Sequence, residues 1–285
     1  MTPRISGVLA TASLAALLAA PAAQADTWSD IQEQGFVRAA TANEVPYGFT
    51  KADGSAAGIG PEVAEAVFKS MGIDEVNWTV TPFGTLIPGL KAKRFTVTAA
   101  EQNIQPDRCA QVAFSEPNSS YGEGLLVKKG NPKDLHTYAD IAKDPSLKVA
   151  VVNGANNVDY LRAVGVDDSQ IVYIKDNADA LATVKSRVDA YAATELTVAN
   201  LAKDQDDVEQ VDPFTDPVVD GKPVRNYGAF AFRKDDEKLL AAFNKALLAF
   251  HETDAYRDIL SHYGLSDQSI AAVGEVDIAD LCQGD

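Results

Sequence analysis

The stretch 36–54, FVRAATANEVPYGFTKADG, decides the fold. Phe36-Val37-Arg38-Ala39-Ala40 reads as a short strand ending at a loop, Asn43-Glu44-Val45-Pro46-Tyr47, and Asp53-Gly54 then signals a turn. A helix follows. Pro61 suits a first helical position, Val63, Val67 and Met71 mark one face, and Gly72 supplies a stop. Working outward, residues 76–81 alternate as a strand and 83–90 begin a helix. Residues 95–99 give a third strand, followed by Glu101-Gln102-Asn103 and a helix start around Pro106-Asp107-Arg108. Strand, helix, strand, helix, strand predicts a mostly parallel sheet with helices on both faces.

The same order returns further along. Residues 148–152 form an apolar strand, and Asn153-Gly154-Ala155-Asn156-Asn157 is a loop into a helix carrying Val158, Leu161 and Arg162. Strand 171–174, helix 178–186 and strand 188–192 complete this half, without any detectable sequence repeat of the first. Residues 227–233 read as a further strand, 239–250 as a strongly amphipathic helix, and 255–263 as helix up to Gly264. The expected fold is α/β with two lobes, each a mostly parallel sheet flanked by helices, joined by two hinge segments. Such sheets gather ligand loops at the carboxyl ends of their strands. Those loops are 43–47, 81–83, 101–103, 153–157 and 193–195.

Outside this frame, residues 1–25 carry a positive Arg4, an apolar run from Ile5 to Ala20, a break at Pro21 and small residues at Ala23-Gln24-Ala25. This is the three-part pattern of a cleaved secretory signal peptide. The run is shorter than the roughly 20 residues of a spanning helix, and no cysteine follows the cut to carry a lipid. Removing residues 1–25 leaves 24 basic and 41 acidic side chains, a formal charge of −17 against −16 for the whole chain. That surface repels nucleic acid and anionic lipid, so neither is expected as a partner. Two cysteines, Cys109 and Cys282, form an even pair, which outside the cytoplasm is read as a disulfide tying the C-terminal tail to the first half. No metal site is expected, because His136, His251 and His262 all lie far from both cysteines in sequence.

With these pieces in order, the chain resembles the polar amino-acid-type periplasmic binding proteins of ATP-driven importers. The resemblance rests on 43–47 with Asp53-Gly54, Gly58 and Pro61-Glu62-Val63-Ala64, and on Phe83-Gly84-Thr85-Leu86-Ile87-Pro88-Gly89-Leu90. It continues through Pro106-Asp107-Arg108, Ala113-Phe114-Ser115-Glu116-Pro117, Lys128-Lys129-Gly130-Asn131-Pro132 and Arg187-Val188-Asp189-Ala190-Tyr191 to Tyr227-Gly228-Ala229-Phe230-Ala231-Phe232-Arg233-Lys234. Within that family the chain is most similar to the ectoine and hydroxyectoine binders. It shares their Glu44-Val45-Pro46-Tyr47 loop, Ile87-Pro88-Gly89-Leu90, and a cysteine directly after Arg108 paired with one near the C-terminus.

The resemblance implies a ligand site. Arg108 is the guanidinium for a ligand carboxylate, since a planar fork matches it bidentately where lysine cannot. Glu44 is the counter-charge for a ligand cation, and Tyr47 and Phe83 offer aromatic faces to delocalised positive charge. Thr194 stands where α-amino-acid binders carry the Asp that pairs with an α-ammonium, which disfavours ordinary amino acids. Asn103 replaces an aromatic wall of the ectoine binders, Glu101 adds a carboxylate, and Asn156 offers an amide to a carboxylate or hydroxyl. Each has a plainer reading: Arg108 capping its helix, Glu44 and Glu101 as solvated acids, Phe83 and Tyr47 as packing, Asn156 as a turn residue.

The implied protein is an exported periplasmic binding component, monomeric and without cofactor, catalytic residues or metal. Its partners are a small zwitterion and a membrane permease. Its lobes are assigned as 26–122 and 227–285 for the first and 123–226 for the second. Two alternatives stay open: a binder of another polar amino acid or derivative, and a periplasmic cyclohexadienyl-type dehydratase using Glu101 and Glu195 as cleft acids.

Overall fold

Phe36–Thr41 is the centre of three parallel strands in a computed structural model that describes residues 26–283. Glu75–Val80 pairs on one side of it and Val97–Asn103 on the other, with helices Ile59–Ser70 and Leu86–Lys91 as the crossovers. Asn226–Phe232 adds antiparallel to Val97–Asn103, and Ala113–Phe114 and Ser119–Tyr121 pair antiparallel with its far side. The second sheet repeats the plan. Ile171–Ile174, Val149–Val152 and Ala190–Thr194 are parallel, Glu123–Lys128 adds antiparallel to Ala190–Thr194, and Val208–Gln210 pairs antiparallel with Glu123–Lys128. The expected signal peptide, 1–25, lies outside the described residues.

Each sheet is thus a parallel trio with antiparallel strands added, more mixed than the alternation of strands and helices predicts. Apart from Val208–Gln210, which follows helix Glu195–Ala202, the added strands are not reached through crossover helices. They belong to the segments that pass between the sheets. Only Gly122 separates Ser119–Tyr121 in the first sheet from Glu123–Lys128 in the second. The chain returns through residues 211–225, with a small hairpin of Val218–Val219 and Lys222–Pro223, and re-enters the first sheet at Asn226. Asn226 pairs with Tyr121, so the two passages run side by side.

Both faces of both sheets are covered. Along Asn226–Phe232 the period of two sends Phe230 and Phe232 into one apolar cluster and Ala229 and Ala231 into another. Leu125 and Val127 likewise part from Leu126 in the second sheet. Helix Glu237–His251 buries Leu239, Phe243 and Leu247, spaced four apart, and the Phe243 ring meets Phe68, Phe230 and Phe232 at 5.0–5.1 Å. Strands buried on both faces explain the continuous apolar runs of the sequence. Among the described residues no helix is long and apolar enough to cross a membrane.

Two local features depart from expectation. Glu101, Gln102 and Asn103 are not a loop after a strand but the buried end of Val97–Asn103, and the pairing register with Asn226–Phe232 shifts between Ala229 and Ala231. Glu101 sits at this irregularity with φ of 47°, a conformation that a bulge imposes on a non-glycine residue. The expected disulfide is present: Cys109 and Cys282, with Cα atoms 5.6 Å apart, join the one-turn helix Pro106–Cys109 to Ile278–Gln283.

Candidate functional site

A small cavity of about 30 Å³ lies between the carboxyl ends of the two parallel trios. Seven of the eight expected ligand residues border it: Glu44, Tyr47, Phe83, Glu101, Asn103, Asn156 and Thr194. Arg108 sits behind this wall. The volume is about that of one water molecule, so the lobes are closed on one another here.

On the first lobe, Glu44 and Gly48 close a tight hairpin through backbone bonds of 2.7 and 2.9 Å. Glycine is required at 48, since a Cβ there would fall 1.9 Å from Thr41 Oγ1. The hairpin turns Tyr47 inward, 3% exposed, with its ring 4.9 Å from that of Tyr121. Its buried hydroxyl has no hydrogen-bond partner among the described residues. Such a group costs about 1–3 kcal/mol unless something meets it, and it stands at the cavity. Burial pushes both phenols well above their usual range. Glu44 is half-buried, and Thr197 Oγ1, on the second-lobe helix Glu195–Ala202, donates to its Oε1 at 2.7 Å. Desolvation raises its pKa, partly offset by bonds from Thr197 and Asn177.

The Arg108 guanidinium carbon lies 5.4 Å from the centre of the Phe83 ring, a cation–π arrangement. Nη1 donates to Asn103 O and Nη2 to Gly154 O, both at 3.0 Å, the second across the cleft. Arg108 is 4% exposed, and burial lowers its pKa. Two of its five N–H groups are thereby used, which leaves three for a carboxylate. At the mouth, Gly84 and Gly154 back onto each other. A Cβ on Gly84 would lie 2.8 Å from Asn153 O, and one on Gly154 would lie 2.7 Å from Gly84 Cα.

The Glu101 carboxylate is clasped from behind rather than solvated. Asn118 Nδ2 donates to Oε1 at 2.8 Å, Ser119 Oγ donates to Oε2, and Tyr121 Oη donates to the Glu101 carbonyl at 2.7 Å. Desolvation pushes this acid up to about 7 against the pull of its Ser119 and Asn118 bonds. Asn103 Oδ1 accepts the Tyr227 N–H at 2.8 Å, and its Nδ2 meets Tyr160 Oη at 3.3 Å. Asn156 spends its Nδ2 on Asn226 Oδ1 at 3.0 Å. Thr194 caps the helix Glu195–Ala202 by accepting from Thr197 N at 3.3 Å. Glu195 is the first residue of that helix, not part of a strand-end loop, and its Oε1 accepts from Gly122 N at 3.0 Å. It braces the passage between lobes and does not border the cavity.

Sequence reasoning missed Tyr121, Asn157 and Tyr191, which also border the cavity, and the buried acid Glu123 beside them. The signal for Glu123 was a charged residue heading the apolar run Gly124-Leu125-Leu126-Val127.

Residues 37–266 match the family described as bacterial extracellular solute-binding proteins, family 3. A probable amino-acid ABC transporter periplasmic-binding protein of Sinorhizobium fredii is 45% identical over 282 residues, covering 98% of this chain and 93% of the relative. The L-cystine-binding protein TcyJ of Escherichia coli is 28% identical, covering 85% and 88%. Among solved structures, EhuB in complex with hydroxyectoine superposes with a TM-score of 0.81 at 32% identity, covering 90% of this chain and 97% of that one. The chain belongs to family 3 of the bacterial extracellular solute-binding proteins. Its relatives are binding proteins of amino-acid ABC transporters, not enzymes, so the dehydratase alternative is set aside. Membership implies export, a small-molecule ligand and a membrane permease as partner.

Proposed function

We propose that this family 3 binding protein captures a small zwitterionic compatible solute, ectoine or hydroxyectoine, and hands it to its permease as a closed monomer. The observation that carries the reading is the polarity of one cavity. Phe83 borders it at one side with the Arg108 guanidinium behind that ring, and Glu44 with the unpartnered hydroxyl of Tyr47 stands at another. A carboxylate suits the first, and a delocalised ring cation suits the second with its aromatic faces. Thr194, a helix cap, offers no carboxylate to a primary ammonium. The likeness to EhuB, solved with hydroxyectoine, supports the same choice. In this reading residues 26–122 and 227–285 form the docking lobe, and 123–226 the lobe that closes on it.

A second reading, another polar amino acid or derivative, draws on relatives named for L-cystine and for lysine, arginine and ornithine, and on the extra acid Glu101. A thermal-shift panel followed by calorimetry separates the two. Ectoine and hydroxyectoine should raise the melting temperature, while glutamine, histidine, arginine and cystine should not. With Asn103 in place of one aromatic face, ectoine affinity should be about fivefold weaker than in a complete aromatic box, on the order of 1 kcal/mol. A preference for a standard amino acid would remove the compatible-solute reading and leave the transport role standing.

A further inference from the structure

Glu123 heads the strand by which the chain enters the second lobe, and it is 3% exposed. Its Oε1 accepts from Asn226 Nδ2 at 2.6 Å, and its Oε2 accepts from Tyr138 Oη at 2.7 Å and from Asn157 Nδ2. Asn226, fully buried, is the first residue of the strand by which the chain returns. With its amide nitrogen committed to Glu123, its Oδ1 faces the other way and takes two donors from the cleft wall. These are Asn156 Nδ2 at 3.0 Å and Tyr160 Oη at 2.9 Å. Tyr160 Oη in turn accepts from Asn103 Nδ2 at 3.3 Å. Every bond in this chain runs toward Glu123.

We propose that Glu123 is a positioning residue for the ligand site: as an acceptor-only terminus it orients Asn226, and through it fixes which atoms Asn156 and Asn103 present to the cleft. The inference rests on the binding-protein reading and refines its chemistry. One N–H of Asn156 Nδ2 goes to Asn226 Oδ1, which leaves its Oδ1 to accept from a ligand N–H or O–H beside one further N–H. Its Oδ1 then stands with Glu44 among the acceptors that can meet ligand donors.

An ionised carboxylate has no hydrogen to give, which is why the chain has one direction. A proton on Oε1 would favour a flipped Asn226 and turn its NH2 toward two donors, Asn156 and Tyr160. Burial brings that event into the neutral range, because desolvation lifts Glu123 to about 7 against its bonds from Tyr138, Asn226 and Asn157. Asp216, whose Oδ1 accepts from Glu123 N at 2.7 Å, adds to the rise. Glu195 and Arg225 act on Asp216 with opposite signs, and the phenols of Tyr121, Tyr138 and Tyr160 feel the Glu123 charge.

The test follows the side-chain amide signals of Asn156, Asn157 and Asn226 by NMR from pH 5.5 to 8.5, without ligand, in wild type, Glu123→Gln and Asn226→Ala. In wild type the three amides should move with the same midpoint as the Glu123 carboxyl carbon. In Glu123→Gln the Asn156 signal should stop titrating. In Asn226→Ala, which leaves Glu123 its Tyr138 and Asn157 donors, Glu123 should still titrate and Asn156 should no longer follow. Ectoine affinity at pH 8 should fall at least tenfold in both variants. The positioning role is overturned if Asn156 ignores the titration of Glu123 in wild type. Tyr138 passing its hydroxyl to Gly124 O, 3.2 Å away, while a neutral Glu123 keeps Asn226 in place, would give that result. Wild-type ectoine affinity in both variants would overturn it equally. Should Glu123→Gln not fold, Asn226→Ala decides. Should ectoine not bind wild type, the ligand reading falls and the amide titration decides the positioning role alone.

Discussion

Arg108 already spends two N–H donors on carbonyl oxygens, one from each lobe, and this double use makes it sensitive to substitution. Arg108→Ala should weaken ectoine binding by about 2–5 kcal/mol, the cost of truncating one side of a buried charge pair. Arg108→Lys should lose most of the same, because an ammonium cannot reproduce the planar fork or the stack on Phe83. Calorimetry decides, and an unchanged Kd in both would place the carboxylate anchor elsewhere. Asn103 is where the structure revises the sequence expectation. Replacing it with Phe restores an aromatic face worth on the order of 1 kcal/mol, but strips the acceptor from the half-buried Tyr227 N–H, a loss of about 1 kcal/mol. Asn103→Phe should therefore lower the melting temperature and bring no gain in ectoine affinity. Residue types at the cleft were legible in the sequence, but their partners were not. Glu101 depends on Asn118 and Ser119, and Asn103 on Tyr160 and Tyr227, which only the fold brings near.

At the scale of elements, a clear period made an element readable. Helix Glu237–His251 announces itself through Leu239, Phe243 and Leu247, and the strands of each parallel trio through short apolar runs between turn residues. Glu123–Lys128 was not foreseen, because burial on both faces removes alternation and an acid stands at its head. The bulge at Glu101 was equally hidden, since it arises from pairing with a strand more than a hundred residues away. The loop at Gly84 meets the loop at Gly154 with no side chain between them, and Gly84 tests that contact cleanly. Its backbone needs no left-handed angle, whereas Gly154 has φ of 85°. Gly84→Ala places a methyl 2.8 Å from Asn153 O across the closed cleft. It should weaken ligand affinity several-fold, on the order of 1 kcal/mol, and leave the ligand-free melting temperature unchanged. A drop in both would mean that the loop matters for folding and not for closure.

For the whole molecule, the two acids lifted to about 7, Glu101 and Glu123, outweigh His251, which burial lowers to about 4 and which acts the other way between about 4 and 6.5. Between about 4.5 and 7 the folded state binds more protons at the two acids than the unfolded chain does. The contribution of each group to unfolding free energy therefore falls as pH rises through that window, by at most about 3.4 kcal/mol. Exposed acids such as Asp53 and Asp167, held low by bonds from Ser55 and Ser169, act the other way and lose their contribution only below the usual carboxylate range. The melting temperature should thus be higher at pH 5.5 than at pH 8, and Glu123→Gln should flatten that slope. Calorimetric scans across the range check it, and a rise toward pH 8 would contradict the sign. The disulfide closes a sequence separation of 173 residues, for which loop-closure entropy suggests about 5 kcal/mol before native strain. Cys282→Ser should lower the melting temperature accordingly. The order of strands and the cysteine pair were legible at this scale, whereas the close pairing of the two passages, Tyr121 beside Asn226, was not. The bare backbone contact at the mouth has a consequence for selection. Jaws that stop on peptide groups, which do not yield as side chains do, close to one gap and no further. On the closing-lobe reading, the molecule would then work as a thickness gauge. A guest too thick props it ajar, a guest too thin rattles, and in both cases the permease meets an outline other than the one a fitting guest gives. Discrimination between solutes of like charge can then come from a mechanical stop, with no additional polar group needed in the wall.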